Sequence, residues 1–334
     1  MKRIICWAVI LWVVSGAWAA AAEKNYPQRT VTNVVVWPSG SRADVLNRMV
    51  SAEMSRSLGE NIYVINRSGG KAGVGGMNYA YSRPADGYTI CGISEENAAA
   101  AVLGGWPHRM NVWDVFIIGG SPEVISINPQ LRIVALEDLI AAARKTPKRF
   151  RAAVHYGSVH QLNLKALEKA SGAQFQPAYF PDSLTAYTAA ADGRASIAIG
   201  PLAEQLQLIR RGKLRPLAVL SKKPFTLEGF GEIPSATAVL PALSDQDTVS
   251  ETIALAAPSG APPHTRQALG RAFDKALESP ALKNWAKAQA TRLSGKTGKR
   301  AQAEFAAIEA VVSWSLWNQG IAATDPKTLG IPKP

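Results

Sequence analysis

Three predicted turns from a strand into a helix carry the residues whose chemistry is easiest to assign. The first, Ser39-Gly40-Ser41, follows an apolar strand at residues 34–36 and precedes a helical spacing of apolar residues. Free N–H groups at a helix start, together with serine hydroxyls, form a binding site for an anion. Ser41 fits the N-cap position, and Asp44 fits its capping partner three residues later. The same residues also fit an ordinary capped turn that binds nothing.

Two further turns of this kind follow in the middle of the chain. Gly157-Ser158 lies between a predicted strand, residues 150–156, and a predicted helix, residues 158–170. Phe180-Pro181-Asp182-Ser183 opens a helix at residues 183–191, which either Asp182 or Ser183 caps. We predict that Gly157-Ser158 is a second anion-binding helix N-terminus, facing the first across a cleft.

Catalytic and metal-binding patterns are weaker than these binding patterns. His155 and His160 lie on either side of a turn, without the carboxylate or cysteine ligands that usually accompany metal-binding histidines. The Ser158 turn lacks the second glycine of a nucleophile elbow. The sequence therefore predicts no catalytic residue and no metal, and it places one of the two histidines in the wall of a cleft. A hydrolase that uses Ser158 with either histidine is the enzymatic alternative.

The glycine-rich segment at residues 68–76 does not match a nucleotide-binding motif. Its spacing fits neither GxGxxG nor GxxxxGK[ST], whereas a tight turn with positive φ explains its glycines. We therefore expect no nucleotide and no other cofactor.

The first 22 residues have the pattern of a secretory signal peptide. Two basic residues precede an apolar stretch at residues 4–14, which is too short to span a bilayer, and Ala17-Trp18-Ala19 fits a cleavage site. We predict cleavage between Ala19 and Ala22 and a periplasmic location. Loss of Cys6 with this segment leaves Cys91 alone, so the mature chain forms no internal disulfide.

The composition is typical of a globular protein and favours anionic partners. Apolar residues make up 47% of the chain, and the formal net charge is +12, or +10 once the two basic residues of the signal peptide leave. Two basic clusters, residues 145–151 and 210–215, lie at predicted helix ends, where cations suit the helix dipole. Zinc-finger and RNA-recognition signatures are absent from the sequence, so we expect no nucleic-acid partner.

Strand and helix patterns alternate in two runs, residues 31–93 and 130–220. This alternation predicts an α/β fold with parallel sheets. Crossovers near residues 124–128 and 252–257 predict two lobes with a ligand cleft between them. The first lobe would comprise residues 23–127 and 252–334, and the second lobe residues 128–251.

Six segments in order along residues 26–320 resemble the substrate-binding receptors of tripartite tricarboxylate transporters, also called the Bug receptors. They are the pattern Pro-x-Gly-x-x-x-Asp-Val-x-x-Arg at residues 38–48, Val-Ile-Asn-Arg at 64–67 with the glycines after it, Ala-Asp-Gly-Tyr-Thr at 85–89, Gly-Lys-Leu-Arg-Pro-Leu-Ala-Val at 212–219, Ile-Pro-Ser-Ala at 233–236 and Ala-Ala-Pro-Ser-Gly-Ala-Pro at 256–262.

The resemblance implies a periplasmic-binding-protein-like fold of two α/β lobes and a receptor without catalysis. It implies that facing loops hold a small organic carboxylate through N–H groups, hydroxyls and ordered waters. Transferred to this chain by position in the motifs, the resemblance implies that the first lobe contributes these residues to the ligand site: Ser39, Gly40, Ser41, Arg42, Asp44 and Ser94. The second lobe's share is Gly157, Ser158, Phe180, Pro181, Asp182 and Ser183.

The chain departs from the family pattern at the ligand end. Arg42 lies in a loop that is usually rich in glycine, where its guanidinium would either grip a carboxylate with two hydrogen bonds or point to solvent. Pro181 and Asp182 stand where the family's Tyr-x-Gly-Gly loop has two flexible glycines, and Phe180 adds a ring that, together with Trp37, favours an aromatic or bulkier acid.

Two binding roles fit this interpretation. In the first, the receptor is a monomer that delivers its solute to the permease subunits of a membrane transporter. In the second, it reports ligand occupancy to a signalling partner.

Overall fold

Two large β-sheets organise residues 26–334, the part of the chain that the computed structural model describes. The predicted signal peptide, residues 1–22, and its cleavage position lie outside this range. Buried apolar clusters occupy both faces of each sheet, where helices pack against the strands. The prediction of an α/β fold with two lobes is confirmed, and we call the part built on each sheet the first and the second lobe.

The first lobe contains a six-stranded sheet in the order β13-β4-β12-β3-β1-β2. Strands β1, β2 and β3 are parallel, whereas β12 runs antiparallel between β3 and β4. The strands are β1 (Val31–Val35), β2 (Ile62–Asn66), β3 (Thr89–Ser94), β4 (Trp113–Gly120), β12 (Ile253–Pro258) and β13 (Arg292–Lys296). The α-helices are α1 (Arg42–Leu58), α2 (Val74–Tyr81), α3 (Ala100–Leu103), α9 (Pro263–Leu277), α10 (Pro280–Ala288) and α11 (Gly298–Asn318).

The second lobe contains a five-stranded sheet in the order β7-β6-β8-β5-β9 and a small antiparallel hairpin, β10-β11. The strands are β5 (Glu123–Ile127), β6 (Arg151–His155), β7 (Gln176–Phe180), β8 (Ile197–Pro201), β9 (Arg215–Val219), β10 (Phe225–Leu227) and β11 (Gly231–Ile233). The α-helices are α4 (Leu136–Lys145), α5 (Val159–Ser171), α6 (Ser183–Ala191), α7 (Leu202–Arg210) and α8 (Ala236–Val239).

Local capping signals set the helix starts that face the cleft between the lobes. Ser41 caps α1, and its hydroxyl accepts a hydrogen bond from the Asp44 N–H. Ser158 caps α5 in the same way, and Asp182 rather than Ser183 caps α6. Because a capped helix start follows directly from a strand end, these polar residues collect at the carboxyl edges of the parallel strands.

The first boundary between the two lobes lies earlier in the chain than predicted. The prediction placed all residues up to 127 in the first lobe, but β5 pairs with β8 and β9 of the second sheet. The chain therefore leaves the first sheet at Gly120 and enters the second at Glu123. The apolar run in β5 suits the core of either sheet, so its sequence does not identify the sheet that it joins. The chain returns to the first sheet at β12.

The outgoing and returning segments touch at this crossing between the sheets. A Cβ atom added to Gly120 would lie 1.8 Å from the carbonyl oxygen of Glu251, closer than real Cβ atoms approach a backbone oxygen. A glycine is therefore needed where the two segments pass each other.

We expect the substitution Gly120→Ala to destabilise the fold by roughly 1–3 kcal/mol, because one of the two backbone segments must move. Urea-induced unfolding measures this change. Gly270→Ala is the control, since that glycine lies within α9 and an added Cβ meets only a Phe116 ring carbon at 3.8 Å. The control should leave stability unchanged or raise it by about 0.5–1 kcal/mol. Equal stability changes in the two variants would contradict the close crossing.

Candidate ligand-binding cleft

A small cavity of about 140 Å³ lies between the lobes, at the ends of β1, β3 and β8. Its wall combines aromatic, cationic and carboxylate side chains with serine hydroxyls. The first lobe contributes Trp37, Ser41, Arg42, Ser94, Glu95, Glu96 and, at the crossing, Glu251; the second lobe contributes His160, Ser183 and Glu204.

The first turn is held by Asp44 rather than left open for a ligand. The Asp44 carboxylate accepts hydrogen bonds from the Gly40 N–H at 2.9 Å, the Asn66 amide at 2.8 Å and the Arg48 guanidinium. Burial alone would raise the pKa of Asp44, but these hydrogen bonds outweigh burial and lower it. Asp44 therefore fixes the loop, which places Ser41 in the cavity wall and leaves Ser39 and Gly40 exposed.

Arg42 forms a bidentate ion pair with Glu251. Its Nε donates to Glu251 Oε1 at 2.7 Å and its Nη2 to Glu251 Oε2 at 2.8 Å, and Nη2 also donates to Thr291 Oγ1 at 2.9 Å. Glu251 Oε2 accepts a further hydrogen bond from the Ser121 N–H at 2.8 Å. The sequence analysis expected Arg42 either to grip a ligand carboxylate or to point to solvent, whereas the guanidinium binds a carboxylate of the protein itself. Arg42 thereby links the start of α1 to both crossing segments.

Three carboxylates of the cavity wall lie beside this ion pair. Glu95 is 5% exposed, and its Oε2 accepts a hydrogen bond from the Thr252 N–H at 2.7 Å. Burial and the nearby charges of Glu96 and Glu251 raise the pKa of Glu95 well above its usual range. Desolvation in the cavity wall and the charge of Glu251 raise the pKa of Glu204 to about 7, although part of this residue reaches solvent. The sequence analysis did not single out these residues. Acidic side chains are common in the first turn of any helix, because they interact favourably with the helix dipole.

His160 is a buried cation on the opposite wall. Its Nδ1 lies 3.0 Å from Glu123 Oε2, and the Asn163 amide donates to the same oxygen at 3.1 Å. Burial would lower the pKa of His160, but the charge of Glu123 and the hydrogen bond to it raise that pKa to about 9. His160 is therefore protonated and paired at neutral pH.

A second cavity, of about 310 Å³, adjoins the first and shares Glu96 with it. Lys71 lines it from the first lobe, and His155, Tyr156, Gly157, Ser158 and Val159 line it from the second. One of the two histidines was expected in a cleft wall; each of them lines one of these two cavities.

The start of α5 forms one wall of the larger cavity. The Ser158 hydroxyl accepts from the Gln161 N–H at 3.3 Å and donates to the His155 carbonyl at 2.7 Å. The Gly157 N–H donates to the Gln161 side chain at 2.8 Å. Because the Ser158 hydroxyl donates to a backbone carbonyl and not to an imidazole nitrogen, it is not arranged as an activated nucleophile.

The remaining predicted residues divide between the cavity walls and their supports. Ser94 and Ser183 line the smaller cavity. Asp182 is an exposed helix cap whose pKa is lowered by hydrogen bonds from the Thr185 N–H and hydroxyl. Pro181 is exposed, and Phe180 packs against the core of the second lobe.

Similarity to known proteins identifies the family. The family model described as "Tripartite tricarboxylate transporter family receptor" matches residues 46–307. The chain belongs to this receptor family. The resemblance found in the sequence is confirmed, and the molecule is a solute-binding receptor.

One relative of this receptor is the protein BugT of Bordetella pertussis, which is 28% identical over 289 residues, or 84% of this chain and 86% of BugT. A TctC solute-binding protein from Polaromonas, solved without ligand, has a TM-score of 0.74 at 22% identity and covers 88% of this chain and 99% of its own. R. palustris Rpa4515, solved with adipate, has a TM-score of 0.70 at 24% identity and covers 92% of this chain and 100% of its own. The receptor shares the fold of both.

Membrane-spanning helices and clusters of metal ligands were both sought among the described residues. Within residues 26–334, no helix combines the length and apolar character needed to cross a membrane. In the same range, no group of three histidine, cysteine or acidic side chains is placed to hold a metal ion.

We expect Arg42→Met to destabilise the receptor by roughly 3–5 kcal/mol, because it leaves the Glu251 carboxylate buried without a counter-charge. Urea unfolding of Arg42→Met, Glu251→Gln and the double variant forms a double-mutant cycle. The double variant should recover part of the loss. Arg56→Met is the control, since the Arg56 side chain is exposed and its pair with Glu53 is worth less than about 1 kcal/mol. A loss no larger than that of the control would contradict a structural role for Arg42.

We expect the His160–Glu123 pair to make stability depend on pH. The folded pKa of His160, about 9, lies above the unfolded value, so its contribution is full below pH ~6.5 and is lost as the pH rises through 9. The loss should reach roughly 3 kcal/mol, measured by urea unfolding from pH 6 to 9.5. The variant His160→Gln should lack this part of the pH dependence, and parallel pH profiles of the two proteins would contradict the pairing.

Proposed function

We propose that the receptor captures a small organic carboxylate between its lobes in the periplasm and delivers it to membrane permease subunits. The observation that carries this proposal is the larger cavity, which is lined by the start of α5 from the second lobe and by Lys71 from the first. The N–H groups of Val159 and His160 in the first turn of α5 have no partner within the helix. Together with the helix dipole they favour a carboxylate at this end of the cavity.

Lys71 supports the same assignment from the first lobe. It is an exposed cation that lines the same cavity as the start of α5. A carboxylate held by both lobes would favour their closed arrangement, because its binding energy is realised in full only when both sets of donors reach it. The adipate in the R. palustris protein is consistent with this class of solute.

The proposal also covers location, catalysis and assembly. Residues 1–22 would be removed during export, which places the mature receptor in the periplasm. The contacts of Ser158 favour binding over hydrolysis, since its hydroxyl is engaged by the His155 carbonyl. We further propose that the receptor acts as a monomer.

A thermal-shift screen of the mature chain against mono-, di- and tricarboxylates and amino acids tests the proposal. A ligand present at ~100 times its Kd should add about 2.7 kcal/mol of stability. The nuclear magnetic resonance spectrum of that ligand should be the same before and after incubation with the protein, because a receptor releases its solute chemically unchanged. Absence of any stabilising organic acid, or conversion of the ligand, would contradict the proposal.

We expect Lys71→Gln to weaken binding of a stabilising acid by roughly 0.5–1.5 kcal/mol, because it removes a charged donor from the cavity. Isothermal titration calorimetry measures the change in Kd. Lys213→Gln is the matched control, since Lys213 is exposed beyond the end of α7 and lines neither cavity. Equal affinities in the two variants would remove Lys71 from the ligand site.

A further inference from the structure

Aliphatic side chains make up half of the residues that line the larger cavity. They come from both lobes and are Ala72, Ala99, Leu103, Val159, Val312 and Ile321. The smaller cavity differs, because charged and hydroxyl-bearing side chains form most of its wall. Pockets bind the apolar parts of a ligand through walls of the first kind. The larger cavity is therefore suited to a solute that has an apolar part.

This aliphatic wall continues an apolar cluster that spans both lobes. Ala99, Val159 and Val312 are buried members of the cluster, and Leu103 and Ile321 pack against it while remaining partly exposed. The Cγ2 atom of Ile321, from the first lobe, lies 3.6 Å from the position that a Cβ atom would take on Gly157 of the second lobe. The apolar surface therefore reaches across the cleft to the turn before α5.

An apolar group bound in this cavity would be stabilised by both lobes at once. The free energy gained on burial is roughly proportional to the apolar area that is removed from water. An apolar cavity of about 150 Å³ is already large enough for benzene. The larger cavity, of about 310 Å³, therefore has room for a ring or chain of about six carbons together with a carboxylate.

Two tyrosine rings extend the apolar wall at the second lobe. Tyr156 follows β6 directly and lines the cavity, and its ring meets the ring of Tyr179 edge to face, with 5.2 Å between the ring centroids. Tyr156 is 56% exposed, so part of its side chain remains free to contact a solute. A ring supported in this way presents a flat apolar surface to an aromatic or alkyl group.

The charged groups of the larger cavity suit one carboxylate rather than two. The start of α5 and Lys71 favour a single anionic group. Glu96 lines the same cavity and forms no ion pair with a cationic side chain among residues 26–334. A second carboxylate of the solute would be repelled by Glu96, whereas an apolar end would not.

We propose that the receptor takes a monocarboxylate with an apolar body, such as an aryl or medium-chain alkyl acid, rather than a dicarboxylate. This inference rests on the proposed function, because it places the carboxylate of that solute at the start of α5 and its apolar body against Leu103, Val312 and Ile321. The solute class differs from that of adipate, the dicarboxylate with which the R. palustris protein was solved.

Matched acids that differ in one terminal group test the inference by calorimetry on the mature receptor. The pairs are butanoate with succinate, hexanoate with adipate, and 3-methylbenzoate with isophthalate, and in each pair a methyl group replaces one carboxylate. At least one monocarboxylate should bind about tenfold more tightly than its dicarboxylate partner, a difference of about 1.4 kcal/mol. Equal affinities, or tighter binding of dicarboxylates, tricarboxylates or amino acids, would overturn the inference and leave the proposed function intact. Binding of no organic acid would overturn both.

Substitutions in the aliphatic wall show whether it sets this preference. Leu103→Asn and Ile321→Thr each place polar atoms in the wall, so each should reduce the preference for the monocarboxylate by about three- to tenfold. Val134→Thr is the control, since Val134 is 65% exposed and lines neither cavity. Equal melting temperatures of the ligand-free proteins verify the fold of the variants. An unchanged preference in both wall variants would overturn the inference.

A further variant tests the repulsion of a second carboxylate. Glu96→Gln should raise the affinity for the dicarboxylates by about threefold, because it removes a partly exposed negative charge from the cavity wall. Glu232→Gln, at an exposed position in β11, is the control and should bind them as the wild type does. Equal dicarboxylate affinities in these two variants would overturn the exclusion of a second carboxylate by Glu96.

Discussion

The ion pair between Arg42 and Glu251 joins the parts of the receptor that must be aligned for the cleft to exist. Arg42 begins α1 beside the first turn, whereas Glu251 lies on the segment that returns from the second sheet. Glu251 also accepts the Ser121 N–H of the outgoing segment. Both crossing segments and the first turn are therefore held by one buried carboxylate, and the cavity walls take their positions from this contact.

This ion pair also affects the electrostatics of the cleft. Glu251 neutralises the one arginine of the smaller cavity, and its charge helps to raise the pKa values of Glu95 and Glu204. At the larger cavity, the start of α5 and Lys71 provide positive charge. The positive groups available to the proposed carboxylate therefore lie at the larger cavity, because Arg42 is already paired with Glu251.

The fold and the helix starts were predictable from the sequence, because their signals are local. Ser41, Ser158 and Asp182 are short polar residues placed directly before helical patterns, and all three cap their helices. The sheet that β5 joins and the gathering of Glu95, Glu204 and Glu251 depend on contacts between distant parts of the chain. No local spacing encodes such contacts, so the acidic part of the cleft and the partner of Arg42 emerged only from the structure.

The most direct test of this account is a crystal structure of the receptor with a solute that stabilises it. The account predicts a carboxylate of that solute within hydrogen-bond distance of the Val159 and His160 N–H groups, with contacts from both lobes. A solute bound away from the cleft, for example in the cavity of about 510 Å³ between Lys165 and Lys333, would contradict it. So would a solute in the cleft whose contacts come from one lobe alone.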